Sequence, residues 1–89
     1  MSRQATEAWI TKYALTSGII HATGEASDGT FIWYGNSRAM NFAHGEGKEW
    51  HRSLDAALDR AAAMRDARLE SLTKSIRKME KVKFKVVEA

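Results

Sequence analysis

The stretch from Ser53 to about Lys81 constrains the fold of this chain more than any other. It contains neither Gly nor Pro and is rich in Ala, Leu, Arg, Lys and Glu, which are strong helix formers. Arg65 lies in the middle of its apolar face. At 100° per residue, the apolar side chains that fall within an arc of roughly 80° are Leu54, Leu58, Ala61, Leu69, Leu72, Ile76 and Met79. The stretch therefore predicts one long amphipathic helix.

The start of this helix is better specified than its end. Ser53 is a suitable N-cap, and Asp55 and Asp59 place negative charge near the positive end of the helix dipole. No Gly or Asn marks a stop near Lys81. Instead, apolar residues alternate there with lysines, which favours a short final strand that contains Val82, Phe84 and Val86.

The chain before the helix has the pattern of short strands. Alternating apolar, aromatic and β-branched residues predict strands over residues 9–16, 19–25, 30–34 and 37–43. Turn residues separate them, namely Ser17-Gly18, Ser27-Asp28-Gly29 and Gly35-Asn36. Residues 1–8 are expected to form a loose tail, and residues 44–52, with two glycines and no period, a loop.

These elements predict an α+β fold in which an antiparallel β-meander of three or four strands packs on one long C-terminal helix. Residues 9–89 form a single domain, with the short C-terminal strand as an optional addition. The chain has no Cys, which excludes disulfides and thiolate metal sites, and no apolar run of the ~20 residues that span a bilayer. We therefore expect a soluble cytoplasmic protein.

The helix is longer than the sheet is wide. About 28 helical residues span roughly 40 Å, whereas four strands make a sheet only roughly 20 Å across. Either the helix breaks near Arg65 to Arg68, or its distal half packs on another molecule, for instance in a homodimer. Arg65 itself has two interpretations: its side chain extends to water, or it pairs with an acid such as Glu25 and fixes the sheet register.

The third strand is apolar on both faces, and one helix covers only one of them. Either Ile32 with Tyr34 or Phe31 with Trp33 is then exposed unless the helix overhang or a partner covers it, and an exposed apolar patch marks an interaction surface. The predicted interaction residues are Ile32, Tyr34, Leu69, Leu72, Ile76 and Met79.

Basic residues crowd the end of the chain, with Glu80 as the only acid among them: Lys74, Arg77, Lys78, Lys81, Lys83 and Lys85. The cluster has two interpretations. Lysines keep a helix end solvated and suit the negative end of its dipole, or they attract nucleic acid or an acidic protein surface. Charge reversal at Lys78 and Lys81 separates nucleic-acid binding from an apolar interface.

Signals for catalysis or metal binding are weak. His21, His44 and His51 are the only imidazoles, and no two of them have the i, i+4 spacing of a helical zinc site. His44, Glu46 and His51 could meet only through the folding of the loop. The chain also lacks nucleophile motifs and phosphate-binding loops. We predict that it is not an enzyme and uses no cofactor.

Three segments resemble small accessory proteins of tailed bacteriophages and prophages. They are residues 12–19 (KYALTSGI), residues 50–53 (WHRS) and the run from Ala63-Met64-Arg65 through Ser71 to Phe84. The resemblance implies a phage-type protein in a bacterial host cell and carries no activity over to particular residues. Together with the exposed apolar residues, the resemblance favours a protein-binding module. Nucleic-acid binding and inhibition of a host defence protein are the alternatives.

Overall fold

The computed structural model describes residues 5–35 and 38–89. Five strands precede one helix: β1 (Thr6–Ile10), β2 (Ile20–Ser27), β3 (Thr30–Tyr34), β4 (Met40–His44), β5 (Trp50–His51) and α1 (Leu54–Glu80). The strands form one sheet in the order β4-β3-β2-β1-β5, and all neighbouring strands are antiparallel. The predicted α+β arrangement of an antiparallel sheet and a long C-terminal helix is confirmed.

The sheet curls because β2 changes partners along its length. Its first half pairs with β1 as far as Gly24, and its second half pairs with β3 from Glu25 onward. Where β2 changes partner, β2 and β3 approach so closely that a Cβ on Gly24 would overlap the carbonyl oxygen of Ile32. Only glycine permits this approach, so Gly24 allows the sheet to fold over its own inner face.

The core lies inside this curl. Its buried residues come from all strands except β2, which adds partly buried Ile20, Ala22 and Ala26. Trp50 is completely buried, and its indole N–H donates to the carbonyl oxygen of Gly29 over 2.9 Å. The other buried members of the cluster are Ala8, Ile10, Phe31, Trp33 and Ala43. The sheet therefore buries its apolar face largely against itself.

Helix α1 packs on this domain through its first turns only. Ser53 caps it as predicted, with backbone dihedrals in the extended region and its Oγ accepting from the N–H of Ala56 over 3.2 Å. The helix contacts β1 and β5. Ala57 is the one buried residue of α1. From residue 65 to residue 80 every side chain is exposed, and the molecule measures 71 × 32 × 23 Å. The helix is unbroken at Arg65 to Arg68, so the predicted break is wrong and the predicted overhang is confirmed.

Two turn predictions meet different outcomes. Asp28 and Gly29 both have positive φ, 52° and 80°, and join β2 to β3 as a two-residue hairpin, as their sequence predicts. The strand predicted over residues 37–43 begins only at Met40. Asn36, the second residue of the predicted turn, and Ser37, the first of that predicted strand, lie outside the described residues.

The first strand is shifted relative to its prediction. It covers Thr6–Ile10, so the tail expected to reach residue 8 is too long, and residues 1–4 lie outside the described part. Residues 11–16 alternate like a strand but belong to tight turns that continue to Gly18, in which the carbonyl oxygen of Tyr13 accepts from three later N–H groups. The strand prediction for residues 11–16 is wrong because no neighbouring strand pairs with them.

The segments on either side of α1 also depart from expectation. The predicted loop 44–52 contains β5, in which Trp50 pairs with Ile10 and His51 with Trp9. The short strand predicted around Phe84 is absent, since residues 82–89 form no strand or helix. A strand needs a partner, and the overhang of α1 carries this segment away from the sheet.

Candidate interaction surfaces

The distal stripe consists of Leu69, Leu72, Ile76 and Met79. All four side chains lie on one face of α1, as the periodicity predicts, and their exposed fractions run from 41% for Leu72 to 71% for Met79. Their 3-4-3 spacing is that of the core positions of a coiled coil. The structure thus leaves on the surface the side chains that a helix normally buries.

The same face continues toward the sheet with half-exposed Leu54 and Leu58. Arg65 interrupts it, and its Nε lies 3.1 Å from an Oδ of Asp66, with both side chains exposed. Arg65 therefore reaches water and pairs with an acid of its own helix, so the interpretation that it fixes the sheet register is wrong. Such an exposed pair contributes little to stability.

A basic face lies on the opposite side of α1 from the distal stripe. It consists of Lys74, Arg77, Lys78 and Lys81, which occupy an arc of roughly 100°. All are exposed, and Lys74 forms an i, i+4 ion pair with Glu70 over 3.5 Å. Lys83 and Lys85 follow in the exposed segment after the helix. Four of the six basic residues are thus gathered along one side of the helix, and the other two follow its end.

A second apolar surface lies on the outside of the sheet, on β3 and β4. Antiparallel pairing sets Ile32 opposite Phe42 and Tyr34 opposite Met40. Tyr34 is 65% exposed and Ile32 is half-buried, whereas Phe31 and Trp33 point inward and are buried. Of the two alternatives for this strand, the structure exposes the predicted pair, Ile32 with Tyr34.

Ile32, Tyr34 and Met40 line a shallow groove of about 330 Å³, together with residues of β2 and its neighbourhood. Met40 and Phe42 were not among the predicted interaction residues. The available signal was their spacing of two residues on a strand that pairs with the apolar third strand. Antiparallel register would have placed them beside Tyr34 and Ile32.

The outer histidines are engaged separately. His21 stacks on Trp9, with ring centroids 4.8 Å apart, and its Nε2 lies 2.6 Å from an Oε of Glu7. His44 lies within hydrogen-bond distance of the Thr30 hydroxyl, at 3.2 Å. Among residues 5–35 and 38–89, no group of three or more His, Asp or Glu side chains could hold a metal ion.

His51 is buried and has a structural partner. The Thr11 hydroxyl donates its hydrogen to the carbonyl oxygen of Lys48 over 2.9 Å, so it accepts from Nε2–H of His51 over 3.0 Å. Burial lowers the pKa of His51, the positive charge of Arg60 lowers it further, and Glu46 opposes the shift. Neutral His51 therefore ties β5 to the end of β1, a role with no sequence signal beyond two polar residues far apart in the chain.

Glu46 pairs with Arg52 over 3.2 Å and does not join His44 and His51 as a ligand set. No helix in the described part of the chain is long and apolar enough to cross a membrane. No protein-family model matches the chain, and neither a curated protein nor a solved structure shows significant similarity to it.

Proposed function

We propose that this chain is a protein-binding module whose contact surface is the distal stripe on α1. One observation carries the proposal: the unbroken helix extends past the domain with Leu69, Leu72, Ile76 and Met79 aligned and exposed. An overhanging helix that served only as a solvated extension would need no aliphatic residues at this spacing. Aligned apolar residues on a helix are the usual anchors in recognition of a helix or a groove.

The energetics favour a partner. In proteins, most of the stability of a helix comes from packing of its apolar face. Residues 65–80 have no buried side chain, so within the described chain they receive little tertiary support. A partner that covers the distal stripe would remove apolar area from water, at roughly 25 cal/mol per Å², and stabilise this half of the helix.

The test is a comparison of two double variants in capture from extracts of the source cell. Leu72→Lys with Ile76→Lys places charge in the distal stripe, and Ala67→Lys with Ser71→Lys adds the same charge away from it on the same helix. We expect the wild type and the control to retain a common bound protein that the stripe variant loses at least tenfold. Equal retention by all three proteins would refute the proposal.

A phage-type accessory protein that obstructs a host protein would need a surface of this kind. The resemblance to phage proteins and the inhibition of a host defence protein stay predictions, which the genes beside the coding sequence and the identity of the captured protein would test.

Nucleic-acid binding is the second candidate, because the basic face is exposed and continuous with the lysines that follow the helix. Phosphate contacts of this type weaken steeply with salt. Lys78→Glu with Lys81→Glu should abolish a salt-sensitive shift of mixed oligonucleotides. Arg38→Glu with Lys48→Glu changes the net charge equally, away from the basic face, and should preserve the shift. No shift by the wild type at low salt would refute this candidate.

A further inference from the structure

We infer that the partner of the distal stripe is a second copy of this chain, bound antiparallel. The inference rests on the proposed function, because it names the occupant of the same surface. It follows from three features of the molecule. The first two are the spacing of the distal stripe and the uneven charge along α1. The third is an exposed phenylalanine beyond the helix end, which matches a groove near the start of the overhang.

Spacing determines the layers. With the two-fold axis near Lys74, an antiparallel pair sets Leu69 against Met79 of the partner subunit and Leu72 against Ile76 of the partner subunit. Symmetry repeats both contacts, which gives four consecutive layers without a polar residue. Arg65 then faces the point at which the partner's helix has ended, so it causes no break in these layers.

Charge determines the orientation. Residues 54–70 carry four acidic and three basic side chains, whereas residues 71–85 carry six basic and one acidic. A parallel pair would superimpose the two basic segments along their whole length. The antiparallel pair sets only residues 71–77 of the two copies against each other, places residues 78–82 beside residues 66–70 of the other copy, and opposes the helix dipoles. Asp66 approaches Glu80 of the partner subunit, an unfavourable contact that is offset by the Arg65 side chain already bonded to Asp66.

The exposed segment after the helix provides an independent match. Phe84 is 96% exposed, and a groove of about 390 Å³ near the start of the overhang is lined by Ala14, Leu15, Leu58, Ala61, Ala62 and Arg65. In this register Lys81 of the partner subunit, the residue that caps the end of its helix, lies level with Ala67. In an extended conformation the next three residues would advance roughly 10 Å, or about six helical residues, and would bring Phe84 of the partner subunit level with Ala61.

The shared helical segment is short, about 20 Å for residues 68–80, so the dimer belongs to the small interface class. We expect reversible dimerisation at micromolar concentration, measured by sedimentation equilibrium. Leu72→Lys should weaken it at least tenfold and Phe84→Ser measurably, while Ala67→Lys should leave it unchanged. Because these side chains are exposed, the variants should keep the wild-type circular dichroism spectrum.

Orientation is tested with cysteines, since the natural chain has none. Leu69→Cys and Met79→Cys should each remain uncrosslinked alone under mild oxidation and form a disulfide-linked dimer when mixed. Crosslinking of each variant with itself would indicate a parallel pair and overturn the inference. Dimerisation unaffected by Phe84→Ser would overturn the placement of that side chain.

A protein that stays monomeric at high micromolar concentration would overturn self-pairing as a whole. That result would leave the proposed function standing, because the capture comparison tests the distal stripe against any protein. Equal dimerisation by wild type and Leu72→Lys would instead show that the two copies pair through another surface, and this result would overturn the inference. The proposed function would fall only if the capture comparison also showed equal retention.

Discussion

Replacement of Trp50 by phenylalanine tests the account of the core most directly. Trp50 is completely buried, and its indole N–H donates to the carbonyl oxygen of Gly29. Its ring lies 5.4 Å from that of Phe31, measured between centroids, and the Arg52 guanidinium lies 5.1 Å from the Trp50 ring centroid. Phenylalanine keeps an aromatic ring in the core but has no N–H and a smaller volume.

The expected cost has two parts. The lost hydrogen bond is worth about 1 kcal/mol. The Gly29 oxygen still accepts from the N–H of Gly45 over 2.8 Å, so it is not left without a donor. The reduced volume adds about 1–2 kcal/mol, as expected for partial truncation of a buried side chain. We expect a loss of about 2–3 kcal/mol from an unfolding free energy of roughly 4–13 kcal/mol for a chain of this size.

The assay is urea unfolding followed by the fluorescence of the remaining tryptophans, which report on the sheet and not on the overhanging helix. Trp9→Phe is the matched control, because Trp9 lies on the outer face and its stacking on His21 can be retained by phenylalanine. The control should cost less than about 1 kcal/mol. If Trp50→Phe cost no more than Trp9→Phe, the placement of Trp50 at the centre of the core would be refuted.

Two further predictions concern the ties that hold the sheet. The pKa of His51 is lowered in the folded domain, so below about pH 6.5 the unfolded chain binds a proton that the folded domain does not. The free energy of unfolding should therefore decrease as the pH is lowered, by at most about 1.4 kcal/mol per pH unit. Urea unfolding from pH 8 to 5 should show this slope in wild type and in His21→Gln, and a slope that persisted in His51→Gln would contradict the assignment. Gly24→Ala should destabilise by roughly 1–3 kcal/mol, because the new methyl group meets the Ile32 carbonyl oxygen, and an unchanged urea midpoint would show that the strands do not approach so closely.

Local signals account for the parts of the fold that could be predicted. The two-residue turn at Asp28-Gly29 requires positive φ, which these residue types tolerate, so the β2–β3 hairpin follows from a short stretch of sequence. The start of α1 follows in the same way from Ser53 and the uninterrupted run of helix formers after it. The distal stripe was likewise visible as a period in the sequence.

The incorrect strand predictions share one cause, which is that a strand exists only where another strand pairs with it. Residues 11–16 and 82–86 alternate as strands do, yet the fold brings no neighbour to either segment. Conversely, β5 is only two residues long and follows a glycine-containing turn, so it has no pattern of its own, and its pairing with β1 arises from the fold.

The sequence by itself determined that the chain contains a β2–β3 hairpin and a long helix with one apolar face, because those properties depend on neighbouring residues. Only the tertiary structure decided which apolar residues are buried. The close approach at Gly24 lets the sheet curl around Phe31, Trp33 and Trp50, so most of the core closes without the helix. Since α1 is required for packing only in its first turns, the aliphatic residues of the distal stripe remain exposed.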